Sequence, residues 1–346
     1  VAGGAREGLM DPLTQGLLGA SFGQALYGRA LGRKAPVWGA LVGMAPDLDV
    51  LVNPVSPMAE WLWHRGPTHA LWFGPVVGPG VGWLLWKWKG GRLRDWVGLA
   101  IVSLLTHPLL DAFTTYGTQL LSPFSRQRFA FDAVAIIDPA YSLVLALGLV
   151  LGLWRGVASA AARRAAWAAL AVSSAYVGLG LVVNHRAEEV ARRQLVAEGV
   201  GEARVSAYPT LFQLPFRRIV ARSGDEVRVG WLSLVAPRPI GWERFEVASG
   251  PAVDAARLTE EGRILEWFAM GEATPRVEDT ADGTVVEMDD LRFGFPGRPR
   301  DGLWGVRVRL DAAGQPVGAG ERFDRALPAP ASELVGRIWR ETLGIS

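Results

Sequence analysis

Six apolar stretches crowd the first 184 residues of this 346-residue chain, at about 13–27, 35–52, 69–88, 95–110, 136–154 and 165–183. A chain with this much apolar length must place it in a bilayer or bury it within itself, and no other feature constrains the fold as strongly. The fifth and sixth runs approach a full span and, apart from Asp138, carry no charge. Several others fall short of the ~20 residues that a perpendicular span needs, so the first two are expected to be re-entrant or buried inside a bundle. Hydrophobic residues make up 50% of the chain and the mean hydropathy is +0.19, which favours a membrane protein over a large soluble helical core. Fifteen tryptophans suit the interfacial belts of such a protein.

Basic residues set an orientation. Arg29, Arg33 and Lys34 separate the first two runs, Lys87, Lys89, Arg92 and Arg94 the third and fourth, and Arg155, Arg163 and Arg164 the last two. By the positive-inside rule these alternate loops are cytoplasmic. The connections 49–68 and 111–135, and everything after Asn184, then face outward. From His185 the pattern changes. "HRAEEVARRQLVAEG" reads as a short amphipathic helix leaving the membrane, and alternating segments follow: "EVRVGWLSLVA", "RFEVAS", "TVVEMDDLRFGF" and "GLWGVRVRLD". "ASELVGRIWRETLG" closes the chain as an amphipathic helix with Leu334, Ile338 and Trp339 at helical spacing. The expected fold is therefore an α-helical membrane bundle of about six apolar helices (1–184), followed by a β-rich extracytoplasmic domain (185–346). The opening "VAGGAREGLMDPLTQ" lacks the layout of a signal peptide, and Met10 reads as a native start behind an upstream extension.

Four polar clusters interrupt the apolar part. Asp47 and Asp49 sit in "APDLDV", and His64 and His69 flank Arg65 just before the third run. His107 and Asp111 stand four apart in "THPLLDAFTTYG", on one helix face, while Asp132 and Asp138 lead into the fifth run. The orientation drawn from lysines and arginines alone puts all four clusters on one side of the membrane. Each has a plain structural reading as a turn, a cap or an interfacial anchor. Taken together, ionisable groups near membrane depth are costly unless they pair or bind something. Imidazole and carboxylate donors without a thiolate suit Zn²⁺, with Mn²⁺ or Fe²⁺ as alternatives. Cysteine is absent, which excludes disulfides, thiolate ligands and cysteine nucleophiles. Scattered basic residues and a net charge of +2 argue against nucleic acid as a partner.

"MDPLTQGLLG", "GMAPDLDVL", "HRGPTHALWF", "THPLLDAFTTYGTQLLSPFS" and "FDAVAIIDP", in this order, resemble the YdjM-type bacterial membrane-bound metal-dependent hydrolases over about residues 10–183. That family is in turn distantly similar to the zinc-dependent phospholipase C enzymes. The resemblance implies a multi-pass protein of the bacterial inner membrane with Asp47, His64 or His69, His107 and Asp111 as metal ligands. Asp49 enters as ligand or base. The implied chemistry is hydrolysis by metal-activated water, with Asp49 orienting or deprotonating the water and Arg65 stabilising charge on a phosphoryl or acyl oxygen of a small-molecule or lipid substrate. Gln15 stands where many members have a histidine, which leaves two other readings open. One is a non-hydrolytic metal or lipid binder, and the other a membrane anchor that presents its outer domain to a protein partner.

Overall fold

The computed structural model describes residues 12–51, 58–281 and 283–345. Met10 and the opening stretch lie outside the described residues, as does 52–57 within the expected outward connection 49–68. The described residues form two compact units, one of 12–51, 63–181 and 211–213, the other of 58–62, 182–210, 214–281 and 283–345.

The first unit begins with α1 (Pro12–Phe22), a π-helical turn (Gly23–Tyr27), α2 (Gly28–Leu31) and α3 (Lys34–Gly43). A 3₁₀ turn (Ala45–Leu51) follows, and beyond α4 (Ala59–Trp63), which up to Leu62 belongs to the second unit, comes another 3₁₀ turn (Pro67–His69). The unit continues with α5 (Phe73–Lys89), α6 (Leu93–Ala112) and α7 (Pro139–Arg155), and α8 (Ala160–Ala197) runs on into the second unit. α1 and α3 cross at two glycines: a Cβ on Gly19 would stand 2.2 Å from the Gly39 carbonyl oxygen, and one on Gly39 2.3 Å from that of Gly19. α5 lies against α6 in the same way, because a Cβ on Gly82 would fall 2.5 Å from the Val97 Cα. The missing side chains of these glycines thus let the helix backbones approach closely.

The expected bundle of six apolar helices does not form. Among the described residues only α6, of 20 residues, and α8, of 38, are long and apolar enough to cross a membrane, and the chain as a whole is mixed α/β. The physical reason lies inside the runs. The first changes from α to π hydrogen bonding at Gly23, and the second breaks after Gly43 into a 3₁₀ turn containing Pro46, which has no N–H to donate. The third spends its opening residues in the turn that carries His69, leaving α5 with 17 residues and an internal Pro79. A helix of that length extends only ~25 Å. The expected short helix at 185–199 is also different, being the continuation of α8, since no glycine or proline separates Val183 from Ala197.

The second unit holds two four-stranded antiparallel sheets, each in sequential strand order. One contains β1 (Arg204–Pro209), β2 (Phe216–Ser223), β3 (Glu226–Ser233) and β4 (Glu243–Glu246). The other contains β5 (Ala273–Thr280), β6 (Gly283–Asp290), β7 (Trp304–Leu310) and β8 (Glu321–Asp324). Ala187, Ala191 and Leu195 of α8 share a buried core with Val205, Ile219 and Leu232 of the first sheet. Two helices between the sheets, α9 (Pro251–Leu258) and α10 (Glu260–Phe268), pack on β6 and β7. The closing helix α11 (Ala331–Leu343) buries Leu334 and Ile338, as the spacing predicts, but leaves Trp339 42% exposed.

Candidate metal centre

Three elements of the first unit meet at one buried point. The 3₁₀ turn Ala45–Leu51 brings Asp47, the 3₁₀ turn Pro67–His69 brings His69, and one face of α6 brings His107 and Asp111. Pro108 lies inside α6 at this turn, where its missing N–H removes one rung of the helical ladder. Asp47, His69, His107 and Asp111 each offer one ligand atom within 4.8 Å of the others. All four are buried.

The separations have the scale of a coordination shell. His69 Nε2 stands 3.0 Å from His107 Nε2 and 3.4 Å from Asp47 Oδ1, and His107 Nε2 stands 3.2 Å from that same oxygen. Asp111 Oδ2 lies 3.3 Å from His69 Nε2 and 3.6 Å from His107 Nε2. Four donors about 2.0–2.1 Å from a tetrahedral ion would be separated by roughly 3.3–3.4 Å. Both oxygens of Asp47 are buried without a hydrogen-bond partner, as a pair of ligand atoms awaiting a cation would be.

The outer partners decide which lone pairs face inward. His107 Nδ1 is 2.6 Å from the Gly43 carbonyl oxygen, an acceptor only, so the proton sits on Nδ1 and the Nε2 lone pair faces the cluster. His69 Nδ1 lies 3.0 Å from Thr68 Oγ1 and 3.4 Å from Asp49 Oδ2, and the Thr68 hydroxyl itself donates to Asp49 Oδ2 at 2.8 Å. His69 is thereby held in the same tautomer. The two Nε2 atoms then face each other at 3.0 Å beside two carboxylates, a contact that either a proton shared between the rings or a metal cation accounts for.

Two further side chains hold Asp111, one on each oxygen. Its Oδ1 accepts from Gln15 Nε2 at 2.6 Å, and its Oδ2 lies 3.2 Å from Arg65 Nε. Arg65 also donates through Nη1 to Thr114 Oγ1 at 2.9 Å and lies over the Tyr116 ring. Its backbone has φ +57°, a conformation a non-glycine residue holds only when its surroundings fix it. Asp49 and His64 stand outside the four-residue cluster. Asp49 Oδ1 meets His64 Nδ1 at 2.8 Å, and its Oδ2 takes the Thr68 hydroxyl and the Arg65 N–H. Burial pushes the Asp49 carboxyl up, but the hydrogen bonds and charges of His64 and His69 more than offset this and hold it below the usual carboxylate range. His64 Nε2 is buried without a partner.

Of the sequence candidates, then, Asp47, His69, His107 and Asp111 converge. Asp49 and Arg65 brace them, and His64 stacks edge-on against His69 with ring centroids 5.7 Å apart. Asp138 instead caps α7, accepting from the N–H groups of Ala140 and Tyr141 and from the Tyr176 hydroxyl. Gln15 as a clamp on Asp111, Thr68 as a relay and the Gly43 carbonyl as an acceptor were not foreseeable as roles. Two of them had a signal: Gln15 stands where many family members have a histidine, and Thr68 lies one residue before His69 in "HRGPTH".

The profile of the YdjM inner membrane protein family matches residues 10–187, slightly more than half of the chain and all of the metal-centre residues. The inner membrane protein YbcI of Escherichia coli (strain K12) is 39% identical over 95 residues, covering 26% of this chain and 54% of that protein. The uncharacterized protein YfhP of Bacillus subtilis (strain 168) is 30% identical over 98 residues, 28% of this chain and 29% of that one. The chain thus spans about half or less of the length of these curated relatives. No solved structure matches it.

Proposed function

The chain belongs to the YdjM inner membrane protein family, and from that premise we propose that it is a metal-dependent hydrolase of the bacterial inner membrane, with Asp47, His69, His107 and Asp111 as its ligands. The observation that carries the reading is the 3.0 Å approach of two imidazole Nε2 atoms whose Nδ1 positions are both engaged. A mixed nitrogen and oxygen donor set suits Zn²⁺ first, with Mn²⁺ or Fe²⁺ as alternatives. Such an ion, when bound, lowers the pKa of its water to about 7 and supplies hydroxide at neutral pH.

The chain's own groups hold this machinery in place. Asp49 fixes the rings of His64 and His69, and Arg65 and Gln15 orient Asp111. Arg65 also keeps a buried positive charge beside the cluster, where it favours an anionic phosphoryl or acyl oxygen. The substrate we propose is a phosphoester presented at the outer face of the membrane. The orientation rests on the basic connection between α7 and α8 being cytoplasmic. Single cysteines at Ser159 and Ser206 test it: an impermeant maleimide in spheroplasts should label position 206 and spare 159, and the reverse pattern would refute the orientation.

A second reading has its own support. Four protein donors already complete a tetrahedron, as in structural zinc sites, whereas catalytic sites keep a position for water. Metal analysis of detergent-purified protein followed by a phosphoester panel separates the two. Bound divalent metal with turnover lost on chelation and restored on reloading supports the hydrolase, whereas a fully loaded protein inert on every substrate favours a non-hydrolytic metal binder.

A further inference from the structure

The loop that follows α6 exposes apolar side chains that a loop beside a buried polar site has no reason to expose. An antiparallel bridge between Thr118 and Phe129 closes its base, with hydrogen bonds of 2.9 and 3.0 Å. The tip is built by its own hydrogen bonds: Ser122 N–H to the Gln119 carbonyl, Ser125 N–H to that of Leu121, and Gln127 N–H to Ser125 Oγ. Arg128 braces it from within by donating to the Tyr116 and Gly117 carbonyls. On this ordered frame Phe124 is 88% exposed and Leu121 44%.

The tip is also tied to the metal centre. Gln119 N–H donates to the Arg65 carbonyl at 2.9 Å, and Leu71 N–H, two residues past His69, to that of Leu120 at 3.0 Å. The Trp72 indole N–H donates to the Ser122 carbonyl at 2.5 Å. Charge narrows the partner. Between Asp111 and Asp132 there is no acidic residue, while Arg126 is exposed at the tip and Arg128 is turned inward, so the exposed tip carries aromatic and cationic groups and no anionic one. That combination suits an anionic lipid surface, with an apolar wedge entering the acyl layer and a guanidinium at headgroup level.

We propose that the 119–128 tip inserts Phe124 and Leu121 into the headgroup boundary of an anionic bilayer and so holds the metal centre at the level of lipid phosphates. Insertion goes beyond the hydrolase reading and does not need it. The consequence for substrate, a bilayer lipid phosphoester in preference to a soluble one, rests on that reading.

The native chain has no cysteine, so Phe124→Cys gives a single labelling site for a small fluorophore. The full chain is placed in nanodiscs with phosphatidylglycerol, and the probe is challenged with lipids spin-labelled near the headgroup and with aqueous iodide. Strong quenching by the lipids and weak quenching by iodide is the expected result. Strong iodide quenching, or protection from both quenchers as a covering protein would give, overturns insertion. A second arm reads turnover. Phe124→Ser should slow hydrolysis of a bilayer phosphoester about tenfold and leave a water-soluble phosphoester unaffected. Equal rates on the bilayer substrate overturn the substrate claim, whereas inactivity of the unaltered chain on every substrate removes the hydrolase reading and leaves the quenching result standing.

Discussion

Both units bury charge, and they resolve it in opposite ways. In the second unit the buried carboxylates are matched by arginines. Asp290 is met by Arg292 at 2.6 Å and by the Trp304 indole at 3.2 Å, and Asp289 is met by Arg276 at 2.6 Å and Arg325 at 2.9 Å. In the first unit the guanidinium of Arg65 pairs with Asp111, only its backbone N–H reaches Asp49, which pairs with His64, and among the described residues no arginine pairs with Asp47. Asp47 instead faces the imidazoles of His69 and His107. The second unit closes its charges within itself, whereas the cluster of the first could take a metal ion. Burial of charge alone therefore does not mark a site; burial of charge with the partners left out does.

The largest expected effect separates the two kinds of charge. His107→Ala should empty the centre of metal, read by metal analysis of the folded protein, while the second unit keeps its stability. Asp290→Ala should do the reverse. It leaves Arg292 buried without its carboxylate, which costs about 3–5 kcal/mol, and metal content should stay at the level of the unaltered chain. If His107→Ala retains full metal, or Asp290→Ala loses it, the contrast between the units fails.

Stripping the metal from the unaltered chain should have the next largest effect. A ligand held at 1,000 times its Kd stabilises by about 4 kcal/mol, and that stabilisation falls on the unit that binds it. Hydrogen exchange should therefore speed up in α6 and in the turns at Ala45–Leu51 and Pro67–His69, and stay unchanged in β5–β8. Uniform acceleration through both units would mean that the metal stabilises the chain as a whole.

How far the sequence carried each region follows from the same physics. The cluster was legible because its members are rare residues in apolar surroundings: four histidines in the chain, two of them five apart and a third four residues before an aspartate. Their convergence and the choice of His69 over His64 were not legible, since both depend on how two short 3₁₀ turns approach α6. The count of membrane helices failed for a related reason. Apolar runs read from composition do not show that the first changes its hydrogen bonding at Gly23, the second breaks before Pro46 and the third opens in a 3₁₀ turn. In the second unit, the alternating segments named from the sequence cover β3, β4, β6 and β7, while β1, β2, β5 and β8 went unnamed and α9 and α10 were passed over. Pro251 at the first turn and Thr259 as N-cap to Gly262 were the available signals.

The α1–α3 crossing offers a test of the frame behind the centre. Gly19→Ala places a methyl 2.2 Å from the Gly39 carbonyl oxygen, so the helices must part. α3 ends at Gly43, whose carbonyl fixes His107, and parting should loosen that hydrogen bond. Weakening of metal affinity by up to about 100-fold, the scale for losing an outer partner of a ligand, is the expected reading. Unchanged affinity would mean that His107 is held without α3.

The smallest effects distinguish brace from ligand, and they sharpen the comparison most. Asp49→Asn keeps the shape of the side chain and removes its charge, so His69 loses the carboxylate facing its Nδ1 but keeps Thr68. Metal affinity should fall roughly tenfold to 100-fold, the range for outer-shell partners. Gln15→Ala removes one hydrogen bond to Asp111 Oδ1 and leaves Arg65 on Oδ2, so its effect belongs at or below the lower end of that range. Isothermal titration with Zn²⁺ on the detergent-solubilised chain reads both variants on one scale. A loss in either as complete as that in His107→Ala would make that residue a ligand, and the centre would then need a geometry other than the four-atom tetrahedron. A loss in Gln15→Ala larger than in Asp49→Asn would show that Asp111, rather than His69, depends most on its outer support, and would reverse the order in which the two braces matter.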